Sequence, residues 1–429
     1  MKRGSSAGVK DTGVKAKGPV VEVTVRGIAA GGSGIADLPD GRVVFVPRTA
    51  PGDRVSIQVE RSKPRWAIAS LCAVLEKGAE RRDALCALYD SCGGCQLQHL
   101  PYAKQLEWKA RFVQDALARI GGLGPLDALE VVPSPLEIEY RNRVTFTLRR
   151  LQGGRVVAGF HALGRPAHVI DVRAECVLPR AELVRAWRTL RSAWGQAARL
   201  LPDGGRLRLT LRESAAGVTL LVEGGVAGWS GVPLAEAVPA LVAVWHRPGD
   251  ERGAPRLVAG AEDGGSTAFT QVNSEAAALL VDHVLDRAGS PARIVDAYSG
   301  AGRYARPLAE RGSQVTGIEL DPVACADARR GAPTGLVVLE GRVEDLLEDA
   351  LPCDLLIANP PRAGLDPETL RVLGAHPPER LIYVSCDPAT LARDVSELSQ
   401  VYAPESVRCF DLFPQTAHVE TVLVLARKA

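Results

Sequence analysis

From about Val20 to Leu75, apolar and polar positions alternate in short runs, VEVTVRGI, GRVVFVP, DRVSIQVERS and WAIASLCAVL, separated by Gly, Pro and Asp turns. A period of two over runs this short predicts half-buried strands. Five of them at this spacing predict a small closed barrel of the OB type over residues 18–76. Across residues 77–262 the pattern mixes periods: an amphipathic helix from Tyr102 to Ile120, then strand-like runs such as RVTFTLRRL and RLRLTLRES. This predicts a central α+β insert. From about Ser290 the chain alternates strand and helix, with seven apolar strand candidates: RIVDAY, QVTGIEL, GLVVLE, DLLIANP, RLIYVS, VRCFDLF and TVLVLAR. Alternation of that kind predicts a doubly wound, Rossmann-like α/β domain over residues 263–429, with its ligand site at the carboxyl ends of the strands.

Charge narrows the partners. The 429 residues are 24% charged with a net charge of +2, so no field over the whole molecule draws polyanions, and any nucleic-acid contact is a local patch. Residues 1–17 are basic and rich in Gly and Ser, which reads as a disordered, solvating tail. Arg61, Lys63 and Arg65 stand beside Trp66, a pairing of cations with an aromatic that suits RNA stacking and phosphate neutralisation. The run YRNRVTFTLRR sets Arg141, Arg143, Arg149 and Arg150 on a strand. That is an RNA-facing edge, or charge that merely keeps an edge from aggregating. No apolar run reaches the roughly 18 residues that a bilayer span needs, and Met1 opens no signal peptide. The expectation is a cytoplasmic monomer. In a reducing compartment the nine cysteines are poor disulfide candidates, which points the clustered ones to metal or catalysis.

Two turns carry candidate chemistry. The first strand ends in DAYSGAGRY, where Gly300 and Gly302 allow a sharp turn with close backbone approach to a ligand before a helix N-terminus. The second strand ends in GIELD, with Glu319 placed to accept the ribose hydroxyls of a nucleoside. Together they predict an adenosyl cofactor, with a nicotinamide cofactor as the rival. After the fifth strand, VSCDPATLARDVSEL puts Cys386 just before a helix capped by Asp387 and opened by Pro388. The positive end of that helix is expected to lower the Cys386 thiol pKa below its free value of about 8.5. Cys325, Cys353 and Cys409 read as core. Separately, Cys86, Cys92 and Cys95 cluster in CALYDSCGGC, and Cys176 lies downstream in RAECVLP. Such a set suits zinc or an iron–sulfur cluster.

Seven strands ending in a hairpin-like pair resemble the S-adenosylmethionine-dependent methyltransferases. In that strand order the last strand runs antiparallel beside the fifth, bringing Glu420 near Cys386 with His418 close by. Carbon 5 of uracil is a feeble nucleophile, and a thiolate adding at carbon 6 activates it; a base must then remove the carbon 5 proton. Cys386 fits the first role and Glu420 the second. VSCDPATLARD and FPQTAHVETV are similar to the nucleophile and final motifs of the RNA uracil-C5 methyltransferase family, and FTQVN, Phe269 to Asn273, to the segment opening its catalytic domain. The chain most resembles the 23S rRNA-modifying, iron–sulfur branch. That resemblance implies cofactor contacts from Gln271, Tyr298, Glu319 and the fourth-strand Asn359, a base pocket lined by Phe269 and a TRAM domain as the barrel. It also implies a [4Fe-4S] cluster on Cys86, Cys92, Cys95 and Cys176, and structured RNA as substrate, ribosomal in preference to the tRNA T-loop. One departure stands out: the family has Asp-Pro where this chain has Asn359-Pro360-Pro361-Arg362. Asn-Pro-Pro followed by an aromatic marks enzymes acting on exocyclic amino groups, but here Arg362 replaces the aromatic. A non-catalytic RNA-binding relative is the other alternative.

Overall fold

The computed structural model describes residues 18–124, 128–214, 216–249, 253–261 and 271–429. The basic tail and Phe269 lie outside the described residues. The chain forms two compact units, Met1–Arg81 and Arg82–Ala429.

In the first unit six strands form one sheet, in the order Val20–Thr24, Arg54–Ser62, Trp66–Glu76, Val43–Val46, Gly34–Asp37, Gly27–Ile28. The strand beyond the expected five arises because VEVTVRGI breaks after Thr24, and Gly27–Ile28 turns back to pair with Gly34–Asp37. Alternate residues point inward, so Val44, Val46, Val55, Ile57 and Ala67 make an apolar core. On the outside, the Arg61 guanidinium lies 5.8 Å from the Trp66 ring centre, and Phe45 meets the same indole edge-on at 6.4 Å.

The second unit holds two sheets. The central one has seven strands, ordered Arg165–Asp171, Val156–Ala162, Arg143–Arg150, Arg206–Ser214, Gly217–Glu223, Leu241–Arg247, Arg256–Gly260. The helix Ala181–Ala193 covers it, with Trp187 stacked on Phe146 at 4.0 Å. The arginine-rich strand Arg143–Arg150 is hydrogen-bonded on both sides, to Val156–Ala162 and to Arg206–Ser214, so it is not an edge. Its charges divide: Arg143 lines the large cavity at the carboxyl ends of the C-terminal sheet, Arg149 is exposed, and the others are engaged within the fold. Arg150 donates to the carbonyls of Ala197, Ala198, Pro202 and Gly204, Arg149 donates to Ala167 O, and Arg141 lies over the Tyr140 ring.

The C-terminal sheet contains all seven expected strands plus an eighth, in the order Leu336–Glu340, Gln314–Glu319, Arg293–Ala297, Leu355–Ala358, Arg380–Ser385, Glu420–Arg427, Tyr402–Phe410, Val131–Val132. Its first five strands are parallel, and Glu420–Arg427 inserts antiparallel between Arg380–Ser385 and Tyr402–Phe410. The helix Tyr102–Arg119 and the strand Val131–Val132, expected within the central insert, belong to this layer. The apolar face of the helix, Val113 and Leu117, packs into the same core as Leu391 and Val395. No helix among the described residues is long and apolar enough to cross a membrane.

A wholly buried ion pair ties this helix to the C-terminal segment: Lys109 Nζ lies 2.6 Å from Asp411 Oδ1 and donates to Phe413 O at 3.1 Å. Burial pushes the Lys109 ammonium pKa down, against the pull of Asp411. Removing one partner of such a pair strands the other charge in an apolar interior. Lys109→Met is therefore expected to lose about 3–5 kcal/mol of stability in urea denaturation, and a loss under about 1 kcal/mol would show the pair to be energetically idle.

Candidate active site

The carboxyl ends of the parallel strands open into a cavity of about 1380 Å³ whose walls include Gln271, Tyr298, Gly300, Glu319, Asn359, Cys386 and Glu420. Single small-molecule sites are usually about 300–1,000 Å³, so this one has room for two ligands side by side. At one end, the turn after Arg293–Ala297 takes left-handed conformations at Tyr298 (φ 62°), Gly300 (55°) and Gly302 (82°). Gly302 does not line the cavity. A Cβ there would come within 3.2 Å of the Arg306 side chain, so it shapes the turn from behind. Glu319 closes the turn from the neighbouring strand: Gly300 N–H donates to one carboxylate oxygen at 2.8 Å and Asp321 N–H to the other at 2.7 Å. Beneath the turn Asp296 is fully buried; one oxygen accepts from Ala305 N–H at 3.1 Å and the other has no partner. Burial pushes its carboxyl pKa up to about 7.

At the other end the antiparallel register sets Ser385 opposite Thr421, so Cys386 and Glu420 follow as the next opposed positions, both on the cavity wall. Glu420 is buried; burial pushes its carboxyl up to about 7, although the Arg362 guanidinium works the other way. Cys386 departs from expectation. Its thiol pKa is raised, first by burial and then by Glu420, while Arg362 pulls it down. The first N–H groups of the helix it precedes are taken up by Asp387, whose Oδ1 accepts from Ala389 N–H at 3.0 Å and Thr390 N–H at 3.1 Å. That carboxylate also adds a negative charge beside the sulfur.

His418 lines the same cavity, with Nε2 3.3 Å from an Arg362 nitrogen. A guanidinium only donates, so Nε2 accepts and the ring proton sits on Nδ1. Burial and Arg362 push the imidazole pKa down to about 4, leaving it neutral. The loop bearing Arg362 is braced by Asp394, which is completely buried and accepts from Tyr383 Oη at 2.6 Å and Leu365 N–H at 2.8 Å. Neither Asp394 nor the unpartnered oxygen of Asp296 stands out along the chain. A lone carboxylate at the core-facing turn of ATLARD was the available signal for Asp394.

Cys86, Cys92, Cys95 and Cys176 come together around a second, smaller cavity of about 100 Å³, walled also by Leu88, Phe160, Leu178 and Arg141. Burial raises the thiol pKa of Cys95 and Cys176, the latter to about 12. Among the described residues, no group of three or more histidine, cysteine, aspartate or glutamate side chains is gathered as a metal-ion site. Cys325, Cys353 and Cys409 are buried in the core, as expected.

Residues 340–428 match the model of the tRNA (Uracil-5-)-methyltransferase family, and residues 15–72 that of the TRAM domain. A 23S rRNA (uracil(1939)-C(5))-methyltransferase of Thiobacillus denitrificans is 34% identical, over 92% of this chain and 97% of its own. This chain belongs to the RNA uracil-5-methyltransferase family. An uncharacterized RNA methyltransferase of Nitratidesulfovibrio vulgaris is 32% identical over 96% of this chain and 97% of its own. Among solved structures, the Pyrococcus abyssi tRNA (uracil-54, C5)-methyltransferase in complex with S-adenosyl-L-homocysteine superposes with a TM-score of 0.70. It is 26% identical and covers 95% of this chain and 100% of that one. As a member of this family the protein is an S-adenosylmethionine-dependent RNA methyltransferase, with a TRAM domain at its N-terminus.

Proposed function

We propose that the protein converts a uridine of 23S rRNA to 5-methyluridine, with Cys386 as nucleophile and Glu420 as base. The observation that carries this reading is the pairing of a thiol and a buried carboxyl across adjacent antiparallel strands, in the same cavity as the glycine turn and Glu319. Bound S-adenosylmethionine supplies an electrophilic methyl group. Gln271, Tyr298, Gly300, Glu319 and Asn359, all on the cavity wall, would hold it, and Gly302 keeps the turn in shape.

The target base is flipped from its stack into the remaining space. Cys386 gives its proton to water, with Arg362 favouring the thiolate, and the sulfur adds to carbon 6. Carbon 5, now enolate-like, would accept the methyl group, whose bond to the cofactor's sulfonium sulfur breaks to leave S-adenosylhomocysteine. Glu420 removes the carbon 5 proton, the carbon–sulfur bond breaks, and the thiolate leaves. With its pKa near 7, Glu420 is a base matched to neutral solution. Arg362 in place of an aromatic, and a cysteine facing the site, set this cavity apart from one acting on exocyclic amines. The ribosomal substrate is favoured over tRNA because the whole-length relative at 34% identity acts on 23S rRNA, against 26% for the tRNA enzyme. Residues 18–76 serve as the RNA-binding module, with Arg61 and Trp66 offering a stacking surface.

Cys86, Cys92, Cys95 and Cys176 are the residues that would hold a [4Fe-4S] cluster. Four thiols around a cavity of about 100 Å³, with an arginine in its wall to offset the charge of four thiolates, fit the cluster that the resemblance implies. Its service is structural, since the reaction moves no electrons.

Incubation with S-adenosylmethionine and 5-fluorouridine-containing 23S rRNA fragments tests the reading. A stable protein–RNA adduct dependent on the cofactor is expected, because fluorine on carbon 5 cannot be taken off by the base. Methylation without any adduct would rule the mechanism out, and equal labelling of a tRNA T-arm would remove the ribosomal preference.

A further inference from the structure

The segment Asp411–Val419, which delivers Glu420 to the cavity, forms neither helix nor strand, yet Asp411, Leu412, Gln415, Thr416 and Val419 are buried in it. Its centre is Gln415, fully buried and held at φ 70°, a left-handed conformation rare outside glycine and asparagine. Such a conformation persists only where the surroundings over-determine it. Here they do. Gln415 N–H donates to Gln105 Oε1 at 2.9 Å, and Gln415 O accepts from Gln96 N–H at 3.1 Å and Leu97 N–H at 3.0 Å. Its side-chain oxygen accepts from Gln105 Nε2 at 3.0 Å and Arg82 at 3.1 Å, and its side-chain nitrogen donates to Glu137 O at 3.3 Å.

One of these anchors, and one bond to the neighbouring Pro414, lead directly to the cysteine cavity. Gln96 follows Cys95 in the chain, and its side chain also accepts from Ala417 N–H at 3.4 Å. Tyr140, which precedes the cavity-lining Arg141, donates from its hydroxyl to Pro414 O at 3.1 Å. Cys386 follows the strand Arg380–Ser385, which is laddered to Leu355–Ala358 as well as to Glu420–Arg427, and it precedes the helix capped by Asp387; none of its supports passes through Gln415.

We propose that Gln415 is a positioning residue that fixes Glu420 against the loop carrying Cys92 and Cys95, so that the integrity of the cysteine centre acts on proton removal and not on thiol addition. This rests on Glu420 being the base and on the four cysteines holding a metal centre. In Gln415→Ala, with ordinary uridine RNA, the covalent methylated adduct forms at the wild-type rate and then decays on the order of 10- to 100-fold more slowly, the penalty for a base displaced by a fraction of an ångström. Affinity for S-adenosylmethionine and bound iron stay unchanged. Gln415→Glu keeps the acceptor for Arg82 and Gln105 and restores most of the decay rate. In wild-type protein stripped of metal by chelation, amide hydrogen exchange speeds up over residues 411–420 and not over residues 386–398.

An adduct that decays at the wild-type rate in Gln415→Ala overturns the proposal. So does a variant that loses addition and decay in equal measure, since that marks a merely structural role. Glu420→Gln run alongside separates the two levels. If it traps no adduct, the base assignment fails, and the Gln415 proposal is then decided by exchange alone: unchanged protection of residues 411–420 in both the Gln415→Ala and the metal-free protein refutes it.

Discussion

Cys386→Ala loses 5-methyluridine formation by a factor on the order of 10⁴ or more and forms no adduct with 5-fluorouridine RNA. Carbon 5 of uracil cannot attack a methyl donor at a useful rate until a nucleophile has saturated the neighbouring carbon. No other thiol can substitute, because Cys325, Cys353 and Cys409 are buried in the core and only Cys386 among the cysteines is on the cavity wall. Cys386→Ser is expected to be equally inactive, since an unactivated hydroxyl is a far weaker nucleophile than a thiolate. The cofactor should bind with unaltered affinity in calorimetry, because the turn at Tyr298–Gly302 and Glu319 belong to different strands from Cys386. Loss of activity with intact cofactor binding is thus the diagnostic pair. Retention of methylation in either variant would mean that the thiol is a bystander.

Much of this was readable from the sequence where local pattern decides structure. Seven apolar runs mark seven strands because each is short and apolar; the inner ones, Arg293–Ala297, Leu355–Ala358, Arg380–Ser385 and Glu420–Arg427, are buried on both faces, while Leu336–Glu340 and Tyr402–Phe410 stay partly exposed. Asp387 and Pro388 open a helix for reasons confined to four residues. What escaped depends on tertiary context. Arg150 looks like a surface cation along the chain, but it serves carbonyls brought from residues 197–204, which no local pattern announces. The helix Tyr102–Arg119 shows its amphipathic period plainly, yet its partner layer is fixed by the distant Asp411, through Lys109. The Cys386 thiol is the sharpest case. Proximity to a helix start argues for acidity, whereas burial and the facing Glu420, more than thirty residues away, argue for the reverse and prevail. A pKa is a sum over neighbours in space, and those neighbours come from three separate segments of the chain.

Glu420→Gln is expected to stall the reaction after methyl transfer instead of before it. The substitution keeps the shape of the side chain and removes its ability to take a proton, which is worth about 10²- to 10⁴-fold. It also removes the negative charge that raises the Cys386 pKa, so the thiolate becomes easier to form at neutral pH. Addition is then as fast as in the wild type or faster, elimination is slow, and the covalent methylated adduct builds up on ordinary uridine RNA, visible as a band resistant to denaturing electrophoresis. The pH dependence follows from the same group. Burial lifts the Glu420 carboxyl to about 7; below that pH it is protonated and cannot accept the carbon 5 proton, and above it the carboxylate is ready. In the wild type the rate of adduct decay should therefore rise as pH increases through about 7 and level off. In the glutamine variant that rise should vanish. Adduct decay that keeps its rise near neutrality in Glu420→Gln would assign proton removal to another group, and neutral His418, on the same wall, would be the next to examine.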